Sequence, residues 1–168
     1  MSEQGQRQAP RDPFGLLAGG EGTITGMVVC AAAIAYAAGH APSVWSLCGT
    51  ILGTVAVYWV AHLHAMTIGS ALTRRHHPVV ALRHALRETW PIVGASAVPI
   101  AALLGCTLLG ARLATAAWVA LLATVALLTG YSYLAAARAG LDTRDRITSA
   151  VAGLFVGLLV VLLKVGLH

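Results

Sequence analysis

The sequence predicts an all-α membrane protein: a five-span transmembrane helical bundle with one interfacial amphipathic helix. Three observations predict it. Residues 22–73 hold no Asp, Glu, Lys or Arg, and further uncharged apolar stretches follow at 89–111, 113–137 and 147–163. About 20 apolar residues suffice to cross the ~30 Å hydrocarbon core as a helix. Hydrophobic residues make up 58% of the 168-residue chain and charged residues 10%, against roughly 25% charged in soluble domains. Finally, the basic residues alternate between the two sides of the chain's crossings. Continuous runs of Ala, Leu, Val and Gly also favour helices over the short alternating strands of a barrel.

Residues 1–21 read as a cytoplasmic N-terminal tail. Glu3, Arg7, Arg11 and Asp12 interrupt it, and no long apolar region marks it as a signal peptide. Phe14, Leu16 and Leu17 are suited to touching a lipid surface. The rest, 22–168, reads as the transmembrane domain. Span one covers about 23–39. Pro42 and Ser43 then suit a turn and a helix start. Span two covers about 44–69. Pro78 suits the first turn of the next helix, in which Val79, Leu82, Leu86 and Trp90 recur at helical spacing while His84, Arg83, Arg87 and Glu88 take other faces. That pattern predicts an interfacial helix over about 78–90. Spans three, four and five follow at about 92–110, 113–135 and 147–167. Pro99 is expected to kink span three. Gly49 and Gly53 in span two, and Gly153 and Gly157 in span five, have the spacing that lets helix backbones approach closely.

Orientation follows from the basic residues. Arg7, Arg11, Arg74, Arg75, Arg83, Arg87, Arg138, Arg144 and Arg146 fall on one side, and Arg112 and Lys164 on the other. Lysine and arginine concentrate on the cytoplasmic side of membrane proteins. The N-terminus is expected inside and the C-terminus outside. The same placement explains the net charge of +5 without nucleic acid, which is not expected as a partner. The partners expected are membrane lipids, with a second copy of the chain or another membrane protein left open. Cys30, Cys48 and Cys106 lie within apolar runs and read as packing residues.

The polar residues of the spans are the candidate site. Ionisable groups inside a membrane are costly and mark function by default. His62 and His64 are two apart, hence about 200° apart around a helix, whereas Tyr58 and His62 share a face. Tyr58 and His62 are the expected inward pair. His84, Glu88, Tyr131 and Tyr133 lie at similar depth, completing a candidate polar pocket of Tyr58, His62, His64, His84, Glu88, Tyr131 and Tyr133. On the outer side the candidates are His40, Lys164 and His168, with Lys164 expected to snorkel outward. The plain reading is hydrogen bonding between helices and at the headgroups. A proton or ion path competes with it, because histidine titrates near neutral pH, as does a metal or haem site, because imidazole is a common ligand. No HExxH or HxxHH motif and no second acidic ligand supports the metal reading, and the sequence names no cofactor. No GxSxG, P-loop or Rossmann glycine run is present.

The stretches YWVAHLHA (58–65), RETWPIV (87–93) and VLLKVGLH (161–168) resemble segments of small actinobacterial-type integral membrane proteins of unassigned function. The resemblance implies a helical membrane protein, supplies no reaction, and draws attention to His62, Glu88 and Lys164. Ten of the eleven basic residues are arginine, and together with abundant Ala and Gly this suggests a GC-rich bacterial genome and a bacterial cytoplasmic membrane. Three functions are compatible: a small permease or channel-like protein for a small solute, ion or proton; a membrane-embedded enzyme acting on a lipid or isoprenoid-like substrate; and an accessory or scaffold subunit of a membrane complex.

Overall fold

The computed structural model describes residues 21–74 and 78–166, with the side chains of Glu21, residues 70–74, Pro78, Val79, Ala81, His84, Arg87 and Glu88 outside the description. The described chain is helical throughout: α1 (Glu21–Ala37), α2 (Val44–Arg74), α3 (Pro78–Gly94), α4 (Ala97–Leu108), α5 (Leu113–Arg138) and α6 (Thr143–Gly166). Four segments are long and apolar enough to cross a membrane, Val44–Gly69, Thr89–Leu108, Leu113–Arg138 and Thr143–Gly166, and Gly22–Ala37 is a shorter apolar helix. The all-α membrane architecture read from the sequence is therefore the one observed.

Local chemistry sets the helix ends. The Ser43 hydroxyl accepts the Ser46 amide at 3.2 Å, so Ser43 caps α2 as its sequence position suggests. α4 and α5 finish in the same way. Gly110 and Gly140 adopt positive φ angles of 84° and 74°, a conformation open to glycine at little cost. Their amides donate to Thr107 and Ala137, and the amides that follow donate to Cys106 and Ala136. This is the Schellman arrangement, which satisfies the last carbonyls of a helix.

Span three departs from expectation. The interfacial helix does not stop near residue 90 but continues through Pro91 to Gly94, and the break falls at Ala95–Ser96. Pro99 accounts for it. A proline lacks the amide that would bond four residues back and crowds that carbonyl, which here belongs to Ala95. The chain interrupts the helix there instead of bending at the proline itself. At the break the Val93 carbonyl accepts both the Ser96 amide, at 3.2 Å, and the Ser96 hydroxyl, at 2.7 Å. At the other end of the chain α6 starts at Thr143, earlier than the expected 147, and takes Asp145 into its first turn.

α1 is the centre of the bundle, in contact with α2, α3, α5 and α6. Met27, Cys30, Ala31, Ala33, Ile34, Ala35 and Ala37 are all buried, and a helix apolar on every side is one enclosed by others. Close approaches fix two of its surroundings. A β-carbon at Gly26 would lie 2.5 Å from the Ile92 carbonyl oxygen of α3. Between α5 and α6, a β-carbon at Gly153 would meet the Ser132 hydroxyl and one at Gly157 the Val125 side chain, each at 2.5 Å. The span-five glycine pair is thus a helix contact. Gly49 and Gly53 face open space instead. Outside the core, Leu154, Phe155, Leu158, Leu162, Trp45, Val57 and Val60 are exposed, an apolar surface suited to lipid.

Candidate functional site

The polar residues on α2 are arranged as the spacing predicts. Tyr58 and His62 stack, with ring centroids 5.9 Å apart and planes 18° from parallel. Both are half-buried, whereas His64 is exposed. Tyr58 packs against the main core cluster. Beside this pair lies a stronger joint, one that residue spacing does not signal. Trp59 donates its indole N–H to the Thr89 hydroxyl at 3.0 Å, which in turn donates to the Ala85 carbonyl at 2.8 Å. The Trp59 ring meets Trp90 edge-on at 6.2 Å. These contacts tie α2 to α3.

The remaining polar candidates do not converge on the Tyr58–His62 pair. Tyr131 packs with Met27, Ala95 and Leu128 between α1, the α3–α4 break and α5, and Tyr133, two residues on, is exposed. No hydrogen bond or ring contact among the described residues joins either tyrosine to α2. His84 and Glu88 stand one turn apart on α3, but their side chains, like the whole of His168, lie outside the described residues. No group of three or more His, Cys, Asp or Glu among the described residues is disposed to hold a metal ion. His40 stacks on Tyr36 at 5.7 Å, and its Nδ1 lies 3.2 Å from the Tyr36 carbonyl oxygen.

Hydroxyl groups within the spans are committed to their own helices. Thr50, Thr54, Thr67, Thr124, Thr129 and Ser132 each donate to the carbonyl four residues back. No side-chain nitrogen or oxygen among the described residues is fully sealed from solvent without a partner. These helices therefore satisfy their polar groups internally, as an apolar solvent requires.

Two cavities occupy opposite ends of the same three helices. Where α1 begins, α5 finishes and α6 begins, a cavity of about 540 Å³ is lined by Ile24, Val28, Leu128, Ser132, Ala136, Leu141, Ser149, Ala152 and Val156, among others. Its wall is almost wholly apolar, with the hydroxyls of Ser132 and Ser149 as its polar side chains. Next to its lining in the chain stand Arg138 in the last turn of α5, Asp142 before α6, and Arg144, Asp145 and Arg146 in the first turn of α6. The Arg146 side-chain Nε donates to the carbonyl of Leu141, a wall residue, at 2.7 Å. The cavity owes its volume to small residues, since Ala135, Ala136, Ala139, Ala152 and Gly153 leave space that larger side chains would fill.

The second cavity, of about 300 Å³, lies where α1 finishes, α5 begins and α6 finishes, between Ala38, Gly39, Ala114, Trp118, Lys164 and Val165. Lys164 does not extend outward as its place near a helix end suggested. It is 4% exposed, and its Nζ sits 5.2 Å from the centroid of the Trp118 ring, within cation–π range. The Trp118–Lys164 pairing spans two helices and 46 residues of sequence, so local periodicity held no signal for it. No family model, no curated protein and no solved structure matches this chain.

Proposed function

We propose that this chain is an integral protein of a bacterial cytoplasmic membrane that binds an amphiphile, a lipid or isoprenoid-like molecule, by its apolar tail. The observation that carries this reading is the 540 Å³ cavity between α1, α5 and α6. Its size falls within the range of small-molecule sites, which are concave and mostly apolar with few polar groups. An apolar tail satisfies such a wall, and water does not. Arg138, Arg144 and Arg146, which stand next to the lining in the chain at this end, suit an anionic headgroup, since guanidinium pairs well with phosphate. The arginine distribution supports a cytoplasmic rim and an N-terminus inside. The reading is one of binding; the described cavity wall offers serine hydroxyls and no acid–base pair.

The test is chemical extraction of the purified protein. After gel filtration in a mild detergent, mass spectrometry of the extract is expected to find one tail-bearing molecule per chain. Ala152→Trp, which fills the cavity from α6, is expected to lower that occupancy at least about tenfold while leaving the elution volume unchanged. Equal occupancy in the two proteins, or a wild-type protein stripped bare, sinks the reading.

One observation favours a second reading, a small permease built around the α2 histidine: the half-buried stack of Tyr58 on His62. In proteoliposomes it requires solute or proton flux that depends on pH and falls several-fold in His62→Ala. Flux unchanged by that substitution removes it.

A further inference from the structure

The second cavity is independent of the first and presents a different chemistry. Lys164 is buried by protein, and its ammonium carries three donors and no acceptor. Among the described residues it has no hydrogen-bond or carboxylate partner; the contact it makes is with the face of Trp118. A buried charge left this way is costly unless paired. Among the described residues no Asp or Glu side chain lies nearby: Glu21 begins α1 at the opposite end, and Asp142 and Asp145 flank the start of α6, again at the opposite end. No buried side-chain nitrogen among the described residues is sealed away without a partner. The Lys164 ammonium therefore keeps access to the cavity it lines.

The rest of the lining is uncharged, but the cavity meets the start of a helix. Ala114 stands in the first turn of α5, a 26-residue helix whose N-cap residue, Arg112, makes no side-chain cap. First-turn amides and the positive end of the helix dipole attract anions. Arg112, the residue before α5, adds an exposed cation at this end of the helix. The opposing influence is the C-terminus of α1, whose carbonyls repel an anion. It is weakened, because the Ile34 and Ala37 carbonyls accept the amides of Ala38, His40 and Ala41. His40, at this end, holds its Nδ1 against the Tyr36 carbonyl. A volume of about 300 Å³ corresponds to roughly ten waters, enough for a tetrahedral oxyanion and its remaining hydration.

We propose that this cavity is a binding site for a phosphate-type oxyanion, held between the Lys164 ammonium and the first-turn amides of α5, with Trp118 as its wall. Two sources supply that chemistry, a free phosphate and the headgroup of an anionic phospholipid.

The experiment uses the purified full chain in neutral detergent and follows tryptophan emission, because an anion that draws the ammonium off Trp118 changes its environment. Inorganic phosphate is titrated in one arm and phosphatidylglycerol in mixed micelles in the other, each against a phosphatidylcholine blank. A saturable response to at least one probe is expected. Saturation by phosphate alone assigns a free-anion site, and saturation by phosphatidylglycerol only assigns a lipid headgroup site. Lys164→Met keeps the apolar stem and is expected to weaken the response at least about tenfold, the ordinary effect of losing a charged hydrogen bond. Lys164→Arg is expected to retain it. Should the Met variant fail to fold, Ala114→Asp serves, since it puts a carboxylate beside the ammonium on an exposed position where an acid suits the helix start. It is expected to abolish the response. A wild-type protein that answers neither probe overturns the proposal, and so does a folded Lys164→Met or Ala114→Asp chain that responds like the wild type.

Discussion

Glycine residues of this chain look alike in sequence and differ sharply in place. Gly26 is pressed against the backbone of α3, and Gly153 and Gly157 against side chains of α5, whereas Gly49 and Gly53 have nothing within 4 Å. Adding one methyl group should separate the two kinds. Gly26→Ala forces α1 from the Ile92 carbonyl, which as backbone cannot rotate aside, and overpacking of this kind costs about 1–3 kcal/mol. Gly53→Ala meets no obstacle and should be neutral or gain up to about 1 kcal/mol from helix propensity. Thermal unfolding in one detergent, followed by circular dichroism, checks the pair; equal melting temperatures for the two variants contradict the close approach of α1 and α3. The spacing of the two GxxxG pairs is identical, so sequence alone did not separate them. What separates them is the neighbour each helix face meets. The same holds for the histidines: spacing put Tyr58 and His62 on one face, and they stack, but spacing carried no information about Trp118 and Lys164.

Helices were the legible elements. Each apolar run became a helix because lipid leaves a backbone no other way to satisfy its polar groups within a single segment. The bounds of span two, 44–69, coincide with the apolar part of α2, where Ser43 supplies a local cap. Boundaries without so local a cause moved. The α3–α4 break at Ala95–Ser96 reflects a proline three residues further on, so its position depends on which carbonyl Pro99 would crowd and not on the pattern of apolar residues. α6 starts before its apolar run because charged residues at an interface are free to be helical. Neither cavity was legible. Each is bounded by residues from three helices far apart in sequence, and each is made by small side chains whose effect depends on what faces them.

At the scale of the whole molecule, the cavity linings define which helix ends lie together. α1 begins beside the finish of α5 and the start of α6, and α1 finishes beside the start of α5 and the finish of α6. α1 and α6 thus run parallel, and the start of the first described helix lies at the opposite end from the finish of the last. With the arginine asymmetry this yields a definite labelling pattern. Single cysteines at Ala139 and Leu109, both exposed, in a chain with its native thiols changed to alanine, are expected to react from opposite sides. An impermeant maleimide added to intact cells should label Leu109→Cys and spare Ala139→Cys until the membrane is opened. Labelling of both in intact cells refutes the orientation. The central position of α1 also bears on how the chain is made. A ribosome delivers α1 before any of the described helices that wrap it, and its seat is completed only once α5 and α6 have been made. Among the described helices, the earliest made is enclosed last.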